Sequence, residues 1–183
     1  SVLARHEESG TAEAPAPDPV AEADGLALHG DAAMRLTAGP GDLVGELARH
    51  LARRRNDGYL CLQAFIAPSA DADAAIARIR ALLRDRTGLA TTAGYGPRFL
   101  HSTGQLHKGG ANTLVAFQLT YDPQDELQIA GEPYSFATLL RAQALGDFEA
   151  LQTHGRRVMR IHLGWDVLAG LKMAAPLLTT ARR

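Results

Sequence analysis

Apolar positions recur along the chain in two alternating rhythms. After Asp42 they fall at Leu43, Val44, Leu47 and Leu51, spacings that share one helical face. Asp42 is a capping acceptor ahead of that helix. Arg53, Arg54 and Arg55 place favourable charge at its negative end, and Asn56, Asp57 and Gly58 stop it. Residues 59–66 are short, apolar and bounded by Gly58 and Pro68, which predicts a buried strand. A longer helix is predicted over 71–87, with Ala75, Ile76, Ile79, Leu82 and Leu83 on one face, Arg78, Arg80, Arg84 and Arg86 elsewhere, and Gly88 as its stop. Further along come a strand over 114–121 and a helix that Ser135 can cap. Its apolar face is Phe136, Leu139, Leu140, Ala144, Phe148 and Leu151, and it ends at Gly155. In the strand over 158–163, Met159, Ile161 and Leu163 alternate with Val158, Arg160 and His162, which predicts one partly wet face. A last helix over 165–179 is weakened by Gly170 and Pro176. The short apolar stretch at 26–28 reads as a first or edge strand, followed by a turn at Gly39, Pro40 and Gly41.

Strands separated by helices predict an α/β class. The expected architecture is a small, mainly parallel sheet of four strands with helices on both faces and ligand sites at the carboxyl ends of the strands. Residues 7–24 are Ala, Pro, Glu and Asp with almost no large apolar side chain, too little to offset the entropy of ordering. Residues 1–24 are therefore expected to be a disordered linker and 25–183 a single domain. The chain opens on Ser rather than Met, which reads as the cut edge of a longer protein.

Composition narrows the function classes. Nineteen Lys and Arg stand against 20 Asp and Glu, and a net charge of -1 provides no general field for nucleic acid or anionic lipid. Cys61 is the one cysteine, so neither an intrachain disulfide nor a Cys-rich zinc site can form, and a reducing compartment is expected. No apolar h-region opens the chain and no apolar run spans a bilayer. The expectation is a cytoplasmic protein without membrane or nucleic-acid partners.

Residues 91–112 have neither rhythm, are Gly-rich and read as the functional loop. Glycines let backbone N–H groups approach an anion. Ser102 and Thr103 add hydroxyls, Gln105 an amide, and Arg98 and Lys108 charge, a set suited to a phosphorylated or polyhydroxylated ligand. Lys108 stands out because Lys172 is the only other lysine. Imidazole changes charge near neutral pH, so His101 and His107 are candidates for a general acid or base. Two histidines six apart with no third ligand make a poor metal site, and none is expected. The loop lacks the Gly-Lys-Ser/Thr ending of a nucleotide-triphosphate loop, no Gly-x-Ser-x-Gly elbow occurs, and Cys61 sits inside a predicted strand. Arg53–Arg55 read as a solvated helix end, and Arg156, Arg157 and Arg160 as surface charge. Glu132 reads as a loop carboxylate facing water, and Trp165 as a packing residue, at a domain or subunit contact if exposed.

The segment Gly-Tyr-Gly-Pro-Arg-Phe-Leu-His-Ser-Thr-Gly-Gln-Leu-His-Lys-Gly-Gly at 94–110 closely resembles the C-terminal part of bacterial bifunctional transaldolase/phosphoglucose isomerase proteins. So do the stretches at 86–92, 131–136 and 141–147, in the same order, and the likeness covers about 25–164. It departs from the family pattern at Ala111, where Pro is usual, and at Leu114, where Gly is usual. The resemblance implies a sugar-isomerase-like subdomain taking part in the interconversion of glucose 6-phosphate and fructose 6-phosphate through ring opening and a cis-enediol. His101 would match the catalytic histidine and His107 the second histidine of the family segment. Arg98, Ser102, Thr103, Gln105, His107, Lys108 and Gly109 would bind substrate. No cofactor is implied. No segment here matches the one carrying the family's base Glu, so the expected partners are a sugar phosphate and an upstream isomerase/transaldolase region or second subunit, in a homo-oligomer. The alternative from a different class is a non-catalytic module for sugar-phosphate binding or oligomerisation.

Overall fold

Residues 18–180 are described by the structure, a computed structural model. Strand β1 (Ala21–Ala23) and β2 (Leu26–Gly30) lead through the short helix α1 (Ala32–Arg35) to α2 (Leu43–Ala52). Then follow β3 (Tyr59–Phe65), α3 (Ala70–Thr87), β4 (Ala90–Tyr95), a 3-10 turn (Arg98–His101) and α4 (Thr103–Gly109). The chain continues with β5 (Leu114–Thr120), α5 (Phe136–Thr153), β6 (Arg157–His162) and α6 (Val167–Thr180). The six strands form one sheet in the order β1-β2-β6-β5-β3-β4. β6, β5, β3 and β4 pair in parallel, while β2 and β1 extend the sheet antiparallel.

The predicted caps are in place. Asp42 accepts from Gly45 N at 2.8 Å, Ser135 from Thr138 N at 3.1 Å, and Gly88 ends α3 in the left-handed region at φ 68°. α3 starts slightly earlier than its apolar period suggests, because Ser69 caps it by accepting from Ala72 N. Apolar α2, α3 and α6 faces cover one side of the sheet, packing Leu47, Ile79 and Leu171 against Leu62, Phe117 and Met159. The other side carries α5 and α4, with Phe148 and Leu151 on Cys61, Ala116 and Val158, and Phe99 on Phe65. Each large side chain removed from water this way contributes about 1.5–3 kcal/mol. Gly170, expected to weaken α6, has a packing role: a Cβ there would lie 2.6 Å from the Leu163 carbonyl oxygen.

Four expectations need correcting. The sheet has six strands rather than four, because β1 carries too few residues to show a period and β4, built from Ala, Thr, Gly and Tyr, has no apolar rhythm. The linker reading fails at its last residues, where Ala21–Ala23 is an edge strand held by backbone pairing that composition does not report; residues 1–17 lie outside the described ones. The stretch 91–112 is not a bare loop but contains β4, the 3-10 turn and α4. β6 does not have a wet face along its centre: α5 covers it, and Arg156 and Arg160, read as surface charge, are buried.

His50 lies wholly inside, its Nε2 3.0 Å from the Ala116 carbonyl oxygen and its ring edge-on to Phe117. Burial, reinforced by the Arg53 charge, pushes it down to about 4 from 6.5. The folded-state value is depressed, so the stability this neutral imidazole contributes is present above pH 6.5 and is lost as pH falls from 6.5 towards 4, on the order of 3 kcal/mol. Urea unfolding at pH 7 and pH 4.5 should show a steeper loss of stability for the native chain than for His50→Gln. Equal losses would contradict it.

Candidate functional site

β3 leaves the sheet into α3 on one face, whereas the adjacent β5 leaves into α5 on the other. Connections diverging from neighbouring carboxyl ends open a crevice, the usual ligand position in such sheets. A cleft of about 360 Å³ lies there. Ile66, Ala67 and Pro68 line it after β3, Tyr95, Gly96, Pro97 and Arg98 at the end of β4, and Tyr121, Pro123, Asp125 and Leu127 after β5. Phe136 and Ala137 from the first turn of α5, with Leu140, complete the wall. Largely apolar walls with a few polar groups are the composition of a small-molecule site. Gly96 is required by packing, since a Cβ would sit 2.4 Å from the Phe65 ring. The Tyr95 hydroxyl donates to Asp73 at 2.6 Å, and burial together with that carboxylate pushes it up to about 12.

Beyond Arg98 the predicted site residues divide by direction. Phe99 anchors the 3-10 turn edge-on against Phe65, 5.5 Å between ring centres. His107 is buried with its Nδ1 3.2 Å from Gln63 Nε2; burial and the neighbouring Lys108 charge hold it below the usual histidine value, which favours the neutral ring. Lys108 Nζ lies 2.8 Å from Asp147 Oδ1, so its charge is engaged inside the fold. Arg156 donates to the carbonyls of Lys108 and Gly110 and fastens the end of α4. These inward contacts leave His101, Ser102, Thr103, Gln105 and Gly109 exposed on the outer side. Of the sequence-predicted residues, Arg98 alone lines the cleft. His101 sits three residues further along the same turn, and no carboxylate is hydrogen-bonded to it among the described residues.

A polar row lies beneath α4 and α5 that sequence reading missed. Gln63, Gln118 and Arg160 occupy one register line across β3, β5 and β6 and point to the same face. Arg160 Nε donates to Gln118 Oε1 at 3.0 Å, Gln118 Nε2 donates to the Ala144 carbonyl, and the guanidinium lies 4.7 Å from the Phe148 ring centre. Burial pulls Arg160 down to about 10. Asp147 is pushed up by burial against the opposing pull of Lys108. Gln63 Oε1, Arg160 Nη2 and both Asp147 oxygens lack a hydrogen bond among the described residues; the Lys108 contact is an ion pair without hydrogen-bond geometry. The available signal was a glutamine in each of two otherwise apolar strands. No group of three or more His, Cys, Asp or Glu among the described residues could hold a metal ion, and no described helix is long and apolar enough to cross a membrane.

No protein-family model and no curated protein matches the chain. Among solved structures, the fold is similar to that of a hypothetical protein, TT0462, from Thermus thermophilus. The TM-score is 0.60 at 20% identity, over 73% of this chain and 37% of that one. The fold is α/β, with a mostly parallel six-stranded sheet flanked by helices. The chain matches well under half the length of that neighbour.

Proposed function

We propose that the chain is the C-terminal subdomain of a glucose-6-phosphate isomerase within a bifunctional transaldolase/isomerase, and that it supplies His101 to a site completed by another region or subunit. The observation that carries this reading is the arrangement of the 98–109 segment. Its inner side is pinned by Gln63, Asp147 and Arg156, which leaves His101, Ser102, Thr103 and Gln105 presented outward at the carboxyl end of β4, beside a cleft that Arg98 enters. An exposed imidazole on a rigid turn is suited to exchanging protons with the ring oxygen and anomeric hydroxyl of a sugar phosphate. Arg98 is suited to its phosphate. The enediol step needs a carboxylate base, and the absence of one bonded to His101 among the described residues agrees with a site shared with a partner.

The other reading, a sugar-phosphate-binding or oligomerisation module without catalysis, draws on exposed Leu127, Phe136 and Trp165. Titration of fructose 6-phosphate into the chain, followed by amide NMR shifts, tests the binding component common to both. Shifts centred on Gly96, Arg98 and Tyr121 are expected. An unchanged spectrum at millimolar ligand would overturn it.

A further inference from the structure

Three groups of arginines far apart in sequence converge at the end of the sheet opposite the cleft. α2 finishes there with Arg53, Arg54 and Arg55, α3 with Arg86, and β6 begins there with Arg156 and Arg157. Most of their hydrogen bonds go to backbone carbonyls. Arg54 donates to Leu51 O, Arg86 to Leu178 O and Thr179 O, Arg156 to Lys108 O and Gly110 O, and Arg157 to Asn112 O and Leu114 O. Such bonds satisfy donors but neutralise no charge. The carboxylates paired here are Asp31, 2.7 Å from Arg53, and Asp57, 3.0 Å from Arg55. The remaining repulsion is visible at Arg157: burial lowers its affinity for the proton most, and Arg53, Arg55 and Arg156 lower it further. A chain whose net charge is -1 thus concentrates positive charge at one end.

The chain comes into its first strand from the direction of that same end. β1 runs antiparallel to β2, and β2 antiparallel to β6, so Ala21 lies level with Leu28 and Ile161, β1 runs in the direction of β6, and the residues before Ala21 lead back towards the start of β6. Val20 N bonds Leu28 O, and Asp18 precedes it. β1 to β6 is two strand spacings, about 10 Å. In the sequence, Glu7, Glu8, Glu13 and Asp18 follow one another with no basic residue between them. The stretch back to Glu7 can reach about 35 Å, more than the separation to be bridged.

We propose that the arginine end is a docking surface for the chain's own acidic segment, residues 7–18. An acidic peptide fits this surface better than nucleic acid does, because among the described residues no exposed aromatic side chain is interleaved with the arginines to stack on bases. This role is independent of the proposed isomerase function, since it lies at the opposite end of the sheet.

The test uses the full chain carrying Thr11→Cys with a nitroxide spin label. Cys61 does not compete for the label, because it is buried and its thiol is pushed up to about 12. Paramagnetic broadening is expected at the amides of residues 53–58 and 155–157. It should fall several-fold at 1 M salt, where the screening length is roughly 3 Å, and in the Glu7→Gln/Glu8→Gln/Glu13→Gln variant. Broadening spread evenly over the surface, or unchanged by neutralising the three glutamates, overturns the proposal. So does broadening seen only between spin-labelled and isotope-labelled copies in a mixture, which would place the segment on another molecule.

Discussion

Under the proposed function, His101→Ala in the bifunctional enzyme is expected to lower isomerase turnover by about 10²–10⁴-fold, the usual contribution of a positioned general acid or base. The same substitution should leave thermal unfolding nearly unchanged, because the side chain is exposed and a surface change without partners typically stays within about 0.5 kcal/mol. The loss should fall on kcat more than on KM, since the imidazole acts on the reacting ring atoms while Arg98 and the cleft walls bind. Steady-state kinetics separate the two. A turnover that survives His101→Ala, with affinity or assembly altered instead, would favour the non-catalytic module.

Asp31→Ala is expected to have the largest effect on stability. This carboxylate is buried and serves three partners. Oδ1 accepts from Met34 N at 3.1 Å to cap α1, Oδ2 accepts from Val158 N at 3.2 Å at the start of β6, and Arg53 lies 2.7 Å from Oδ2. Alanine leaves a buried strand N–H without an acceptor and Arg53 without its counter-charge, as when one partner of a buried pair is removed, a loss of about 3–5 kcal/mol. Asp31→Asn keeps an acceptor for Met34 N and should cost roughly half as much. Urea denaturation of the three proteins checks the order. Equal stability of Asp31→Ala and the native chain would show that the hub carries no net stabilisation.

How much of this was legible depended on how local each signal is. Asp42, Ser135 and Gly88 act on backbone groups a few residues away, so the ends they cap could be read directly from the chain. The strands over 59–65 and 114–120 were legible for a similar reason: both faces are covered, which leaves an almost unbroken apolar run. Asp31 looks like an ordinary cap for a helix of one turn, and nothing nearby indicates that its second oxygen serves a strand more than a hundred residues away. The row of Gln63, Gln118 and Arg160 is likewise a product of register between strands. The 91–112 segment was misread because α4 is short and held by Gln63, Asp147 and Arg156 rather than by an apolar stripe of its own. Only the tertiary contacts divide its residues into inward His107 and Lys108 and outward His101, Ser102, Thr103, Gln105 and Gly109.

Interconversion of glucose 6-phosphate and fructose 6-phosphate can be assayed for the 183-residue chain alone and for the same chain joined to the upstream isomerase region of a bifunctional transaldolase/phosphoglucose isomerase. The account predicts turnover from the joined protein, its loss on His101→Ala, and little or none from the chain alone. No turnover from the joined protein, or a full rate from the chain by itself, would contradict it.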